Sequence, residues 1–340
     1  MDGLDRPTSM SQVPERFNIL SLSGGGYMGL YTAHILAHLE ARSGRPLRES
    51  FDLIAGTSIG GILGIAVALG VPMARVAVHF EQSGPRIFSN RGAPRHFGHE
   101  MMDALRFVAR AKYDNTELLK TITRICPEDL TMSKIPRRFL APAVNLTLGQ
   151  PHTFRTPHIP GHDKDNDLLV TDVALATSAA PTLFPLVEID GHHFSDGGTY
   201  ANAPDQIALH EAEILLGVPS DRINMLSIGT TTASYSFPPP AHSSFGIREW
   251  MQDRRMIRMM LATQQQHVLT IMSQRLQERY LRIDADQGRF APILGLDIAS
   301  EAARDALYRL AQGSIDQMQG CGAVDRFLGH DAVVAQHALE

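Results

Sequence analysis

Residues 51–61, with the sequence FDLIAGTSIGG, contain the pattern that decides the fold. The apolar run at 51–55 predicts a buried strand, and the small, apolar run at 62–69 predicts a helix. The same order occurs earlier in the chain, where the run FNILSLS at 17–23 precedes three glycines and a helical pattern at 30–41. A strand, a glycine turn and a helix, repeated, are typical of a parallel sheet covered by helices. The sequence therefore predicts an α/β fold.

The turn between the second strand and its helix has the pattern G-x-S-x-G, formed by Gly56, Ser58 and Gly60. In a sharp strand-to-helix turn the serine hydroxyl is exposed, and the flanking glycines permit close backbone approach. The helix that follows points its amino terminus at the site, which favours negative charge there. Short patterns of this kind also arise by chance. The position between strand and helix favours the interpretation of Ser58 as a nucleophile.

The first glycine turn, GGGYMG at 24–29, allows two interpretations. It satisfies the G-x-G-x-x-G pattern of dinucleotide-binding sites, which also requires an acidic residue at the end of the next strand. Glu49 lies before that strand and Asp52 near its beginning, so the requirement is not met. The other interpretation is an oxyanion hole, because consecutive glycine amides can donate to one developing oxyanion. We favour the oxyanion hole.

A serine nucleophile needs a base within hydrogen-bond reach, and histidine is the usual one. The chain has 15 histidines, of which His192 and His193 lie just before a Ser-Asp-Gly-Gly segment. In that segment Asp196 is followed by Gly197 and Gly198, which let a carboxylate come close to a neighbouring group. Asp-Gly is also a common turn dipeptide, so spacing alone favours an ordinary turn. The residues by themselves leave the identity of the base open.

The composition is that of an ordinary globular protein, with 340 residues, 44% hydrophobic and 20% charged, and a formal net charge of -5. Nothing in this balance favours binding of a nucleic acid polymer. Residues 1–18 lack a signal-peptide pattern and no run of about 18 apolar residues occurs, so we expect a cytoplasmic protein. The acidic loop at 163–167 begins like a calcium loop but lacks its required glycine and glutamate. The sequence predicts no metal and no cofactor.

Taken together, four segments resemble the patatin-like phospholipases. In the family's order they are the glycine turn, the FDLIAGTSIGG run, ATSAAPTLFP at 176–185 and Asp196-Gly197-Gly198. ANAP at 201–204 and LSIGT at 226–230 are also similar to the family. Four ordered segments are far more specific than any one of them. The resemblance covers residues 17–285 and implies a patatin-like three-layer sandwich, in which a mostly parallel sheet lies between helices.

The resemblance also implies a reaction. Ser58 becomes the nucleophile and Asp196 its base, a dyad without a catalytic histidine. The substrate is a membrane phospholipid, reached by peripheral membrane contact, and the products are a fatty acid and a lysolipid. The oxyanion is held by the amides of Gly24, Gly25 and Gly26, and the motifs are completed by Gly29, Gly197 and Gly198.

The chain departs from the family's pattern beside these motifs. Ser23 stands where many members have Asp, and Met28 where they have Arg or Lys. Ala203 replaces the second of two asparagines that often precede the proline. Such side-chain changes do not remove backbone N–H donors, so the expected oxyanion role of the glycine amides at 24–26 is retained. A charged contact from this loop to a lipid head group comes into doubt.

The segment 286–340 is not explained by the family core, and we expect a helical extension packed on the 17–285 domain. Several bacterial relatives resemble effectors of anti-phage systems that a cyclic dinucleotide activates, and the size and layout of this chain are similar. Arg-rich stretches at 86–95 and 248–258 are candidates for contact with an anionic activator or with lipid head groups. Solvated helix faces explain them equally well. The sequence leaves the oligomeric state open.

Two other functions remain as alternatives. A conventional esterase with a Ser-His-Asp triad would need a late histidine, such as His330 or His337. The nucleophile of such an esterase usually follows several strands, whereas Ser58 follows only two. A non-enzymatic dinucleotide-binding module would instead use the glycine turn at 24–29.

Overall fold

A computed structural model describes residues 15–88, 110–232, 244–246, 249–250, 255–320 and 322–333. Its strands are β1 (Phe17–Leu22), β2 (Leu53–Gly56), β3 (Arg138–Asn145), β4 (Gln150–Arg155), β5 (Val187–Ile189), β6 (His192–Asp196), β7 (Ile223–Ile228) and β8 (Tyr280–Ile283). Its α-helices are α1 (Gly29–Ser43), α2 (Ile59–Leu69), α3 (Met73–Ile87), α4 (Thr116–Ile122), α5 (Val170–Thr177), α6 (Gly198–Ala201), α7 (Asp205–His210), α8 (Arg255–Leu276), α9 (Glu301–Gln319) and α10 (Asp325–Leu328). The first two strand–turn–helix units lie where the apolar pattern predicts them.

The strands of the described residues form one sheet. In it β3, β2, β1, β7 and β8 are neighbours in that order, and all are parallel. The antiparallel pairs, which involve β4, β5 and β6, lie at the β3 side. Parallel strands covered on both faces are apolar throughout, and β1, β2 and β7 are buried at every position. The expected α/β class, with a mostly parallel sheet between helices, is confirmed.

Two apolar cores lie on the two faces of the sheet, because successive side chains of a strand point to opposite sides. Leu20 and Leu22 of β1 belong to the larger core, which includes side chains of α1, α2, α3 and α9. Ile19 belongs to the smaller core, together with side chains of α7 and α8. In β2 the alternation is the same, since Ile54 faces the larger core and Leu53 the smaller. The result is three layers, with helices on each side of the sheet.

The pairing of β3 with three other strands determines where two of them end. β4 pairs antiparallel with residues 140–145 of β3 and therefore occupies one edge over that length. β2 pairs with residues 138–140 and β6 with residues 143–145, so both must lie along the other edge. β2 is parallel to β3 and β6 is antiparallel to it. Their carboxyl ends therefore point at each other along the same edge.

The gap between these carboxyl ends lies opposite Ala141 and Pro142 of β3. Proline has no backbone N–H to offer a neighbouring strand, and the Thr177 hydroxyl donates a hydrogen bond of 2.6 Å to the Pro142 carbonyl. Asp196 ends β6 on one side of the gap, and Ser58 follows β2 on the other. The sheet thus brings together two predicted site residues that are far apart in sequence.

The segment from 286 onward continues the larger core. Leu307 of α9 is buried in it, and the Ser314 hydroxyl shares a hydrogen bond of 2.8 Å with Tyr31 of α1. Beyond α9, the Phe327 carbonyl accepts a hydrogen bond from the side chain of Asn18 in β1. Because packing is continuous, the boundary expected between 285 and 286 stays a prediction. Among the described residues, no helix combines the length and apolarity needed to cross a membrane.

One local element differs from the expectation. The Gly- and Pro-rich stretch at 84–98 predicts a loop, yet α3 continues through Pro85 to its end at Ile87. The cause is tertiary packing, because Gly84 lies so close to the Tyr27 ring that an added Cβ would come within 2.2 Å of a ring carbon. The loop prediction is wrong for the start of this stretch, and the remainder lies outside the described residues.

Replacing Leu307 with alanine tests whether α9 belongs to the core. Leu307 is fully buried, so the substitution should lower the free energy of unfolding by about 2–5 kcal/mol through lost burial and the cavity left behind. Gln317 of the same helix is exposed, and Gln317→Ala should change stability by less than about 0.5 kcal/mol. Chemical denaturation of the full chain measures both. Equal effects of the two substitutions would contradict this packing.

Candidate active site

The turn after β2 has a strained backbone that its glycines permit. Ser58 has φ 56° and ψ -128°, a conformation that residues with a side chain rarely adopt, and α2 starts at the next residue. A Cβ on Gly56 would lie 2.1 Å from the Gly60 carbonyl oxygen. A Cβ on Gly60 would lie 2.3 Å from the carbonyl oxygen of Leu22 in β1. The turn therefore has no room for a side chain at either flanking position, in agreement with the sequence pattern.

Ser58 and Asp196 line the same cavity at the gap between β2 and β6. The Ser58 hydroxyl is placed so that it stabilises the ionised form of the Asp196 carboxyl. The carboxylate also accepts a hydrogen bond of 2.6 Å from the Gly198 N–H, and the Asp196 N–H donates to the Ala179 carbonyl at 3.0 Å. Ser58 is 9% exposed and Asp196 5%. Both groups are largely shielded from bulk water, and backbone contacts fix the carboxylate.

Burial governs the protonation of Asp196. Loss of solvation raises the pKa of its carboxyl to about 6, while the hydrogen bonds from Ser58 and from the Gly198 N–H act in the opposite direction. A carboxyl with this pKa is ionised at neutral pH and is a stronger base than an exposed aspartate. Such a group can accept a proton from a neighbouring hydroxyl.

Thr177, at the end of α5, connects the two sides of the gap. Its hydroxyl donates to the Pro142 carbonyl and accepts a hydrogen bond of 3.1 Å from the Ser58 N–H. The same Pro142 oxygen lies 2.2 Å from where a Cβ on Gly197 would be. Thr177 belongs to the ATSAAPTLFP segment, but nothing in the sequence indicates which of its side chains reaches the gap.

The three consecutive glycines after β1 differ in what their amides do. The Gly24 N–H donates to the Asn202 carbonyl at 2.9 Å. It is not available to an oxyanion, so the expected role of Gly24 as an oxyanion donor is wrong. In the part of the chain that the structure describes, the N–H groups of Gly25 and Gly26 have no acceptor. Both glycines line the same cavity as Ser58, and their amides remain the candidate donors.

Gly24 and Gly29 instead permit close packing around the turn. The Gly24 carbonyl accepts a hydrogen bond of 2.7 Å from the Thr230 hydroxyl. A Cβ on Gly24 would lie 2.6 Å from the side-chain oxygen of Asn202, and one on Gly29 would lie 2.3 Å from Cγ1 of Ile59. Ile59 is the first residue of α2. The glycine turn after β1 and the serine turn after β2 are thus packed directly against each other.

An apolar cavity of about 160 Å³ adjoins Ser58 and Asp196. Besides the glycine amides, its lining consists mainly of apolar side chains from α2, α3, α8 and the 180–184 segment, among them Ile59, Ile62, Phe80, Ile87, Phe88, Leu183, Phe184, Ile257 and Met260. The Phe88 ring packs edge-on against Tyr113, with ring centres 5.7 Å apart. A cavity with this apolar lining suits a hydrocarbon chain.

The histidines considered as bases lie elsewhere. His330 pairs with Asp52 at 2.7 Å, at the amino end of β2, and the serine turn follows the opposite end of that strand. The two histidines at 192–193 begin β6, whereas Asp196 ends it. His337 lies outside the described residues. Among the predicted bases that the structure describes, only Asp196 lines the cavity of Ser58.

Comparisons with known proteins agree with this fold. A family model described as Patatin-like phospholipase matches residues 20–209. A cGAMP-activated phospholipase from Pseudomonas aeruginosa is 35% identical over 95% of this chain and 95% of its own length. One from Vibrio cholerae is 35% identical over 78% of this chain and 79% of its own. A cUMP-AMP-activated phospholipase from Escherichia coli is 25% identical over 68% of this chain and 70% of its own.

The chain therefore belongs to the patatin-like phospholipase family, and it is an enzyme that hydrolyses lipid esters. The matched residues 20–209 contain the glycine turn at 24–29, the serine turn at 56–60 and Asp196. The resemblance inferred from the four sequence segments is confirmed.

Several residues that hold the site were missed by sequence reasoning. The Asn202 side chain donates to Oε1 of Gln265 at 2.7 Å, while its backbone carbonyl holds Gly24. The Tyr27 N–H donates to the Leu296 carbonyl at 2.8 Å. Asn202 lies in the ANAP segment and was visible as a motif residue. Gln265 and Leu296 belong to no motif, so no local signal marks them.

Substituting Gly60 with alanine tests the packing of the serine turn. The added Cβ would meet the backbone of β1, which cannot rotate away, so we expect a loss of about 1–3 kcal/mol in the free energy of unfolding. A matched control is Gly313 in α9, where a Cβ meets nothing within 4 Å. Gly313→Ala should leave stability unchanged or raise it by up to about 1 kcal/mol. Thermal unfolding that ranks the two substitutions the other way would refute this account of the turn.

Proposed function

We propose that this enzyme is a serine hydrolase that cleaves acyl esters of membrane phospholipids through a dyad of Ser58 and Asp196, without a catalytic histidine. The observation that carries the proposal is that Ser58 and the buried Asp196 carboxylate, which lie far apart in sequence, line the same cavity at the gap between β2 and β6. The amides of Gly25 and Gly26, in the same cavity, support it. Membership of a phospholipase family supports a phospholipid as the substrate, with a fatty acid and a lysolipid as products.

In the first half-reaction Oγ of Ser58 attacks the ester carbonyl carbon, and the hydroxyl proton passes to the Asp196 carboxylate. The carbonyl oxygen becomes an oxyanion, which accepts hydrogen bonds from the Gly25 and Gly26 amides and lies near the amino terminus of α2. As the bond to the alcohol oxygen breaks, Asp196 gives its proton to that oxygen. The lysolipid leaves as an alcohol, and Ser58 carries the acyl group.

In the second half-reaction water takes the place of the alcohol. Asp196 accepts a proton from water as the water oxygen attacks the acyl carbonyl carbon, and the same two amides bind the second oxyanion. When the bond to Oγ of Ser58 breaks, Asp196 returns the proton to Oγ. The fatty acid leaves, and both side chains are back in their starting states.

The apolar cavity gives a reason for selecting lipid esters. Each CH₂ group that leaves water contributes about 0.8 kcal/mol to binding. An acyl chain that fills the space between Phe88, Phe184 and Ile62 therefore binds much more tightly than acetate. We propose that the acyl chain occupies this cavity, with the ester carbonyl beside Gly25.

We further propose that cGAMP activates the enzyme. The relatives from Pseudomonas aeruginosa and Vibrio cholerae are both named as cGAMP-activated, and the first aligns with nearly the whole chain. The cUMP-AMP-activated relative is less similar. A lipase that hydrolyses membrane lipids must be inactive until it is needed. Activation by a cyclic dinucleotide therefore suits the anti-phage role that the resemblance implies.

Fatty-acid release from phospholipid vesicles tests the proposal. Wild type with cGAMP should release fatty acid, and release without cGAMP should be much lower. Ser58→Ala removes the attacking oxygen and should abolish release under both conditions, while circular dichroism shows a folded protein. Release by the alanine variant would exclude Ser58 as the nucleophile. Equal release by wild type with and without cGAMP would contradict activation.

The base is tested with Asp196→Asn, which keeps the shape of the side chain but cannot accept the proton. Activity should fall by about 100- to 10,000-fold. His330→Ala is the control, because His330 lies at the other end of β2. It should lower stability but keep turnover per folded molecule within about threefold of wild type. Loss of turnover in a folded His330→Ala protein would favour the conventional triad.

The pH dependence follows from the raised pKa of Asp196. Only the ionised carboxylate accepts a proton, so activity should be low below the pKa and rise to a plateau above it. The value of kcat/KM for a soluble p-nitrophenyl ester, with cGAMP present, should have its midpoint near pH 6. A midpoint near the ordinary pKa of aspartate, about 4, would show that burial does not control the base.

A further inference from the structure

A second cavity lies on the other side of the glycine turn. Its volume is about 610 Å³, and it opens between α8 and the segment 287–298. It shares four lining residues with the apolar cavity, which are Gly25, Asn202, Leu261 and Leu296. The two cavities therefore meet at Gly25, whose amide is a candidate oxyanion donor. We call the second one the polar cavity.

The lining of the polar cavity differs in chemistry from that of the apolar cavity. Its polar side chains are those of Asn202, Thr232, Arg258, Gln265, Gln287 and Asp297. The Gln287 amide donates only to weak or distant acceptors, Sδ of Met28 at 3.2 Å and the Thr231 hydroxyl at 3.4 Å. Such a donor can change partners when a ligand offers a charged oxygen.

One wall of this cavity is fixed by buried amide contacts. Gln265 is 1% exposed, accepts a hydrogen bond of 2.7 Å from the Asn202 side chain, and donates one of 2.8 Å to the Thr232 hydroxyl. Within the described part of the chain, the Thr232 hydroxyl proton has no other acceptor. Because the Asn202 carbonyl also holds the Gly24 amide, this wall and the glycine turn form one connected unit.

The charged side chains in the described lining are one guanidinium and one carboxylate. Arg258 contributes a guanidinium to the lining. The Asp297 carboxylate is compensated, since it pairs with Lys112 at 2.7 Å and accepts a hydrogen bond of 3.1 Å from the Tyr113 hydroxyl. Burial by itself lowers the pKa of Lys112, but its interactions with Asp297 and Tyr113 together outweigh this and leave the pKa raised, so the lysine stays charged.

We propose that the polar cavity binds a phosphodiester, with Arg258 as its cation and with Gln287 and Thr232 as neutral donors. The inference rests on the proposed lipase function, because two phosphodiesters belong to that reaction. One is the head group of a phospholipid whose acyl chain fills the apolar cavity and whose ester carbonyl lies at Gly25, between the two cavities. The other is cGAMP.

A ligand in the polar cavity can act on the oxyanion donors through its second wall. That wall includes Leu296, whose carbonyl accepts a hydrogen bond from the Tyr27 N–H. Gly26 has φ +56°, and a Cβ on it would lie 2.1 Å from the Leu296 oxygen. The backbone at Leu296 therefore packs directly against the turn that contains Gly25 and Gly26. A shift of this wall changes where their amides point.

Binding to the inactive Ser58→Ala protein tests the site without turnover. Isothermal titration calorimetry is done with dihexanoyl phosphatidylglycerol, with cGAMP, and with dihexanoylglycerol, which has the same acyl chains but no phosphodiester. Arg258→Gln should lower the binding affinity of the phosphodiester that occupies the polar cavity by about tenfold or more. The matched control is Arg255→Gln, on the same helix but in neither cavity lining, which should change affinity by less than about twofold. Binding of dihexanoylglycerol should be unchanged by both.

A second variant fills the site instead of removing its charge. Ala262 lines the polar cavity on α8, so Ala262→Phe should block the same ligand that Arg258→Gln weakens. A matched loss for phosphatidylglycerol identifies a head-group site, and a matched loss for cGAMP identifies an activator site. Unchanged binding of both ligands in both variants would overturn the proposal, as would an equal loss in Arg255→Gln.

Hydrolysis by the otherwise wild-type protein separates this inference from the proposed function. If wild type releases fatty acid but phosphodiester binding ignores Arg258 and Ala262, the site is refuted and the lipase function stands. If binding depends on these residues but no ester is hydrolysed with or without cGAMP, the lipase function fails and the binding site stands.

Discussion

The meeting of two strand ends on one edge of β3 is the constraint on which the site depends. β2 pairs with β3 in the parallel direction, and β6 pairs with it in the antiparallel direction. Both strands end beside Ala141 and Pro142 of β3. A longer β2 or β6 would pair across this gap and fill the space that Ser58 and Asp196 occupy. Pro142 offers no N–H for such pairing, and the Thr177 hydroxyl occupies its carbonyl instead. An interruption in the sheet thus creates the contact between serine and carboxylate.

The same gap sets the electrostatics of the carboxylate. Two neutral donors face Asp196, the Ser58 hydroxyl and the Gly198 N–H, and the effect of burial exceeds theirs, so its pKa rises to about 6. In a triad the carboxylate orients an imidazole, which supplies the basicity. Here the carboxylate lines the same cavity as the serine, and its raised pKa brings it close to the basicity of an imidazole. A buried, weakly compensated aspartate is costly for stability, which is typical of groups retained for function.

The glycine turn is held by parts of the chain that the family model does not include. That model ends at residue 209, yet the Gly24 carbonyl is bound by Thr230 and the Tyr27 amide by Leu296. α9 and the segments around it are packed into the larger core. Consequently the candidate oxyanion donors depend on residues beyond the part of the chain that the family model matches. These contacts connect the lining of the polar cavity to the amides of Gly25 and Gly26.

The sequence by itself determined the strand–turn–helix units and Ser58, because apolar periodicity and the glycines around a tight turn are local properties of the chain. It did not decide between Asp196 and the histidines, since the pairing of β6 with β3 joins segments that no local pattern connects. Nor did it show that Gly24 is unavailable to an oxyanion, because that follows from a hydrogen bond to Asn202. Which groups meet Ser58 was decided only by tertiary structure, where strand register and backbone hydrogen bonds between distant segments fix the distances.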